Sequence, residues 1–244
     1  MSAAPARRLD HIVIAVRDLD DAVVRYRALG FDARPGGRHT GRGTHNAIIR
    51  FGLDYLELVS VYSEAEARAA GRSGLVDFLA VREGPVGYAL ATDDLEAEAR
   101  CIRDAGRPAI GPFAMERLRP DGSRLSWRLV SPGDGPDRRP WPFFIQWDQP
   151  DAERLTLDGA GAHPNGARGI RAIAVGVRDL PAARHLYGTL LGLAPAGDDA
   201  FRAGTARIEL VPASEDGPLT ITLAAAVDRE LDVALAGARI RLEP

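Results

Sequence analysis

Apolar positions recur in this chain in three matching blocks. Residues 9–31 (LDHIVIAVRDLDDAVVRYRALGF), 86–107 (VGYALATDDLEAEARCIRDAGR) and 170–193 (IRAIAVGVRDLPAARHLYGTLLGL) each begin with an apolar run, pass an Asp-Leu step and continue with apolar residues at helical spacing. A continuous apolar, β-branched run such as 11–16 predicts a strand covered on both faces. Asp18 (or Asp20), Asp94 and Asp179 are placed to cap the helices that follow, because a short carboxylate accepts the orphan N–H groups of a first turn. Gly30, Gly106 and Gly192 mark the helix ends. A fixed pattern that returns along a chain predicts a tandem of similar modules.

Between the blocks the pattern shortens to period two. Residues 46–51 and 55–61 are apolar runs around Gly52-Leu53-Asp54, a hairpin signal. The Gly- and Arg-rich stretch 35–44 reads as a loop. The first module is therefore β-α-β-β-β. In the second, 112–118 and 125–130 flank the turn residues Arg119-Pro120-Asp121-Gly122, 131–142 reads as a long hairpin loop, and 143–147 is a closing strand. The third is compressed to strands at 201–203 and 206–211. The last piece, 219–242, reads strand, helix, strand. The predicted organisation is a region 1–150 of two βαβββ modules, a connector 151–168, and a region 169–244 with a third module and a truncated fourth.

Composition narrows the function. The chain of 244 residues is 45% hydrophobic and 27% charged, which is ordinary for globular proteins. A net charge of −3 gives no electrostatic case for nucleic acid or an acidic membrane surface. No apolar run is long enough to span a bilayer. All 31 cationic residues are arginine, which excludes a lysine Schiff base and a P-loop. One cysteine, Cys101, permits no intrachain disulfide, and residues 1–8 lack the apolar core of a signal peptide. A cytoplasmic location is expected. Mid-helix in 94–106, Cys101 reads as a structural thiol. His185 and His163 read as solvated, and no G-x-S-x-G elbow supports a serine hydrolase.

Three features carry a resemblance: the pattern H-x-x-x-x-V-x-D-L starting at His11, a helix closing on Gly30-Phe31, and a strand YLEL at 55–58. With these, the chain resembles the vicinal oxygen chelate superfamily. The segments GRHTGRGTHNAIIRFGLDYLELVSV and WPFFIQWDQP are similar to its glyoxalase-like-domain proteins. The resemblance implies an α+β fold in which paired βαβββ modules curl into a half-open mixed β barrel, the fold of glyoxalase, bleomycin-resistance proteins and dihydroxybiphenyl dioxygenase. It implies a divalent metal held in the cavity by donors from the first and last strands of each module. Carried over position by position, those donors are His11 and Glu57 in the first module, Gly87 and Gln146 in the second, and Ala172 and Glu209 in the third. Two of the four positions of the barrel thus lack the family's residue.

Imidazole with carboxylate suits Zn, Fe, Mn, Ni or Co. If Gly52–Asp54 forms a three-residue loop, His45 shares the face of Glu57 and completes a 2-His-1-carboxylate set; a two-residue loop would reverse that face. In the other reading His11 and Glu57 form a metal-free pair, with Glu57 a general base whose pKa is raised by burial. His39, with Arg38 and Arg42 nearby, reads as part of an anion-binding loop or as a plain turn. Asn46 orients a ligand or starts a strand. Trp127, Trp141, Phe144, Trp147 and Gln146 belong to a cleft or to the core, and Arg128 to a solvated strand edge.

Two functions follow from the resemblance. One is a metal-dependent lyase, isomerase or dioxygenase acting on a small molecule. The other is a metal-free binding protein that sequesters a drug or metabolite, as bleomycin-resistance proteins do. The truncated last module adds a third expectation, a sheet edge that a second copy covers in a homodimer.

Overall fold

Each Asp-Leu step does cap a helix. In the computed structural model, which describes residues 7–133, 139–157, 159–226, 229–231 and 238–244, Asp18 Oδ1 accepts from Asp21 N at 3.0 Å at the start of α1 (Leu19–Ala28). A short α2 (Glu64–Ala69) and α3 (Ser73–Val81) come next. Asp94 Oδ1 accepts from Ala97 N at 2.9 Å before α4 (Leu95–Asp104), and α5 covers Asp151–Leu157. Asp179 Oδ1 accepts from Ala182 N at 2.9 Å before α6 (Leu180–Arg184), which runs on into a π-helical turn over His185–Leu190.

Eight strands form a closed barrel. These are β1 (Arg8–Ala15), β2 (Ala33–His39), β3 (Thr44–Arg50), β4 (Tyr55–Val61), β5 (Gly84–Ala91), β6 (Ala109–Leu118), β7 (Arg124–Pro132) and β8 (Phe143–Trp147), in the spatial order β1-β4-β3-β2-β6-β7-β8-β5. First and last strands of each module pair in parallel, β1 with β4 and β5 with β8, while β1 and β5 join the modules antiparallel. The ring that the resemblance leaves half open closes at the far side through two residue pairs of β2 and β6, Arg38 with Leu118 and His39 with Arg117. The stretch read as a loop before Thr44 is therefore mostly strand β2. Only the turn at Thr40–Gly43 separates it from β3.

A second sheet follows. Its strands are β9 (Gly169–Val177), β10 (Pro195–Gly197), β11 (Ala200–Ala203), β12 (Ala206–Pro212), β13 (Gly217–Ala224), β14 (Arg229–Leu231) and β15 (Arg239–Glu243), ordered β10-β11-β12-β9-β13-β15-β14. The helix expected in the last piece falls largely outside the described residues, and Arg229–Leu231 within it is strand, paired with β15. Strand alternation puts Ile12, Ile14, Leu56 and Leu58 on the outer face of the barrel. There they share one buried core with Ile173, Val175, Ile208 and Ile221 of the second sheet and with the helices. The inner face of the barrel is left for a cavity. Among the described residues no helix is long and apolar enough to cross a membrane.

Candidate active site

The opposite set of alternating residues points inward. His11 and Val13 on β1 lie beside Tyr55, Glu57 and Val59 on β4, and all five line a cavity of about 370 Å³ in the barrel. The His11 ring stacks on Tyr55, centroids 4.6 Å apart. Glu57 is only 8% exposed. Its Oε1 accepts from Asn46 Nδ2 at 2.6 Å and lies 3.5 Å from His39 Nε2. Its Oε2 lies 3.6 Å from His11 Nε2 and makes no hydrogen bond among the described residues. One oxygen of the carboxylate is thus committed and the other faces the cavity.

Both imidazoles are held by their far nitrogen. His39 Nδ1 meets Thr44 Oγ1 at 2.9 Å across the β2–β3 ladder. His11 Nδ1 meets Asp10 Oδ1 at 2.8 Å. Successive strand residues normally face opposite sides, but the β1–β5 ladder shifts register between Leu9 and His11, which leaves Asp10 outside the regular pairing. Asp10 is fully buried, accepts from Trp147 Nε1 at 3.1 Å, and faces Arg8 at 3.1 Å and Arg154 at 3.5 Å. Burial opposes its charge, but the His11 hydrogen bond and Arg154 hold its pKa well below the carboxylate range. In the sequence Asp10 carries a single signal, its place directly before His11.

The Glu57 carboxyl is not raised, contrary to the expectation from sequence, although burial alone would raise it. The His11 imidazole leads the groups that pull it back, and the net position is below its ordinary value, so Glu57 is a carboxylate across the neutral range. Burial pushes His39 down to about 4, outweighing the attraction of Glu57, so His39 is a neutral imidazole there. Asn46 reaches Glu57 because Gly36 leaves it room: a Cβ at that glycine would lie 2.2 Å from Asn46 Oδ1.

Four residues are placed otherwise than expected. The β3–β4 ladder pairs Arg50 with Tyr55 and Ile48 with Glu57, so the loop is Phe51–Asp54, one residue longer than the three-residue reading. That puts Asn46, not His45, on the inner face. His45 lies outside against Tyr62, ring centroids 5.8 Å apart, and is not a partner of Glu57. Phe144 packs in the outer core. Gln146 also faces outward: its Oε1 accepts from Arg128 Nη2 at 2.8 Å and its Nε2 donates to the Asp93 carbonyl at 2.9 Å. The inward positions of β8 are Phe143, Ile145 and Trp147. His163, read as solvated, instead pins the connector, with Nδ1 accepting from Asp32 N and Nε2 at the Arg50 carbonyl, both at 3.0 Å. His39 and Trp127 do line the cavity, with their rings edge-to-face at 6.1 Å. Cys101 Sγ donates to the Leu190 carbonyl at 2.7 Å, and burial raises its pKa, as befits a structural thiol.

The donor set does not fit the metal that the resemblance implies. The second module offers Gly87, which has no side chain, and Ile145, which has no donor atom. The Asn46 amide N–H, which cannot ligate, already occupies Glu57 Oε1. Among the described residues no group of three or more His, Cys, Asp or Glu is arranged to hold a metal ion.

The family assignment rests on residues 9–191, which match the glyoxalase-like domain. The chain belongs to the glyoxalase-like domain family. Its fold is that of the vicinal oxygen chelate superfamily. A hypothetical protein from Staphylococcus aureus has a similar structure over 98% of this chain and 99% of its own, at 17% identity and a TM-score of 0.80. A xylose isomerase-like TIM barrel/4-hydroxyphenylpyruvate dioxygenase fusion protein matches 91% of this chain with 37% of its own, at 17% identity and a TM-score of 0.57. The methylmalonyl-CoA epimerase of Streptomyces coelicolor, in complex with 2-nitronate-propionyl-CoA, matches 58% of this chain and 98% of its own, at 25% identity and a TM-score of 0.39. No curated protein sequence matches the chain.

Proposed function

We propose that this glyoxalase-like protein is an enzyme that moves a proton on a small carbon acid held inside the barrel, with Glu57 as the base. The observation that carries this reading is a buried, ionised carboxylate at the cavity wall whose Oε2 makes no hydrogen bond among the described residues and lies 3.6 Å from His11 Nε2. An ionised carboxylate kept from water is costly unless paired, and among the described residues Glu57 accepts a hydrogen bond on Oε1 alone. In the step, Oε2 takes the proton from the carbon next to a carbonyl, and the C–H electron pair moves into that carbonyl to give an enolate. The same carboxyl then returns a proton, so no oxidant or reductant enters. Arg117, buried and lining the same cavity, supplies positive potential toward the enolate oxygen. No step is routed through a metal.

The test is deuterium exchange at the α-carbon of a panel of 2-oxo acids, 3-oxo acids and their methyl esters in D2O, followed by proton NMR. The wild type should promote exchange of at least one member, with EDTA leaving the rate unchanged. Glu57→Gln should lower it by about 10²- to 10⁴-fold while the Tm stays within a few degrees. Exchange that survives Glu57→Gln, or no exchange of any panel member, overturns the reading.

Sequestration without turnover is the second reading. Its support is that all three tryptophans of the chain, Trp127, Trp141 and Trp147, line the cavity, where large aromatic surfaces suit a planar ligand. A planar compound that raises the Tm of wild type and Glu57→Gln alike, with no exchange in either, favours it.

A further inference from the structure

The mouth of the barrel is covered by the junction between α2 and α3 and by the turn between β2 and β3. Arg72 lies in the first and Arg42 in the second, and both line the same cavity as Glu57. Arg42 is anchored by donating to the Ala70 carbonyl at 3.1 Å and by lying over the Phe113 ring at 4.9 Å. Arg72 has a buried Nε with no hydrogen-bond partner. Among the described residues no carboxylate pairs with either guanidinium, and Glu57 is the only acid that lines the cavity. The charge of Arg72 also reaches Arg42: burial lowers the Arg42 pKa first, and Arg72 lowers it further. Two guanidinium groups brought together at a half-buried site without a counter-charge are destabilising until an anion arrives. When one does, they present the planar donor forks that match a carboxylate.

From this we infer that Arg42 and Arg72 form an anion subsite at the cavity mouth, and that the molecule taken into the barrel is a carboxylate with an apolar, aromatic or branched body. The carboxylate docks between the two arginines. The body lies against Trp127, Met115 and Phe143 on the inner wall, and the far end reaches Glu57. The inference takes the cavity to be the substrate chamber, as above, and names the class of molecule that enters it. It also answers why the arginines face inward: in a cavity meant for a neutral ligand they would be a desolvation cost with no return.

The three tryptophans make the cavity its own reporter, so binding is read from intrinsic fluorescence. The probes are phenylacetate and its neutral counterpart phenylacetamide, titrated into the full chain. Wild type should show saturable quenching by phenylacetate with an affinity at least about tenfold above that for phenylacetamide, the margin expected when charged hydrogen bonds are made to one ligand only. Arg72→Met should remove that margin, as should Arg42→Met, with the amide bound as before; unchanged amide binding shows that the cavity is intact. Glu57→Gln should keep the preference for the carboxylate. Equal binding of acid and amide by wild type, a preference that survives both arginine substitutions, or no saturable binding of phenylacetate overturns the subsite. Because this readout needs no turnover, the subsite and the proton-transfer reading fail separately: a carboxylate preference without α-carbon exchange sinks only the latter, and exchange confined to methyl esters sinks only the former.

Discussion

At the scale of residues, the site is a row of buried polar groups that hold one another: Arg154 and Trp147 on Asp10, Asp10 on His11, His11 beside Glu57, and Glu57 on Asn46 and His39. Such a row ties stability to pH. His39 has a folded pKa near 4 against an ordinary 6.5, so between these values the unfolded chain binds the proton and the folded one does not. Stability therefore rises with pH in that window; the contribution is fully present above about 6.5 and is lost as pH falls toward 4. Glu57, also shifted downward, acts in the same direction below its ordinary value of 4.5. Tm measured by circular dichroism should fall between pH 6.5 and 4 in the wild type, and fall less in His39→Gln. A Tm that is flat or rises on acidification contradicts this. His11 and Glu57 were legible in the sequence because a strand pattern names the positions and the resemblance names the residues. His39 was a candidate for the cleft, but its place beside Glu57 was not legible, since its stretch reads by composition as a glycine-rich turn.

Elements decided the inner face. One extra residue in the β3–β4 connection exchanged His45 for Asn46, because side chains alternate with a period of two. Closure of the barrel is as local: β2 reaches β6 over only two residue pairs. Gly37, next to that junction, has φ +136°, and a Cβ there would lie 2.0 Å from the Leu118 carbonyl oxygen. Gly37→Ala should cost at least about 1–3 kcal/mol in urea unfolding, from the strained φ alone. It should also loosen the wall that carries His39 and Arg117. A variant as stable as wild type would show that β2 and β6 do not meet this closely.

On the scale of the whole molecule, the outer face of the barrel is not a surface. Ile12, Ile14, Leu56 and Leu58 are buried against the second sheet, and the Tyr88 and Tyr187 hydroxyls meet across the junction. Asp54 Oδ2 accepts from Ile170 N at 2.6 Å, and the Arg50 carbonyl accepts from Gly161 N at 2.7 Å, which ties the connector and β9 to the hairpin that carries Glu57. Expressed alone, residues 1–150 should be insoluble or bind a hydrophobic dye, since a large apolar face would be exposed. The full chain should unfold in a single calorimetric transition. A soluble, folded 1–150 that retains carboxylate binding would show that the second sheet is dispensable to the site.

The repeat of strand, capped helix and hairpin was written in the sequence itself, because strand period, Asp caps and glycine stops act over a few neighbouring residues. The pairing of His11 with Glu57 on the first and last strands of a module came from the family resemblance, and the structure places the two side by side. What only tertiary structure decided was which groups share the barrel cavity and its wall: His39 beside Glu57, Asp10 behind His11, and Arg42 and Arg72 lining one cavity. Those meetings depend on turn length, a register shift and strand closure. Each changes the direction of a side chain without changing the pattern of apolar and polar positions.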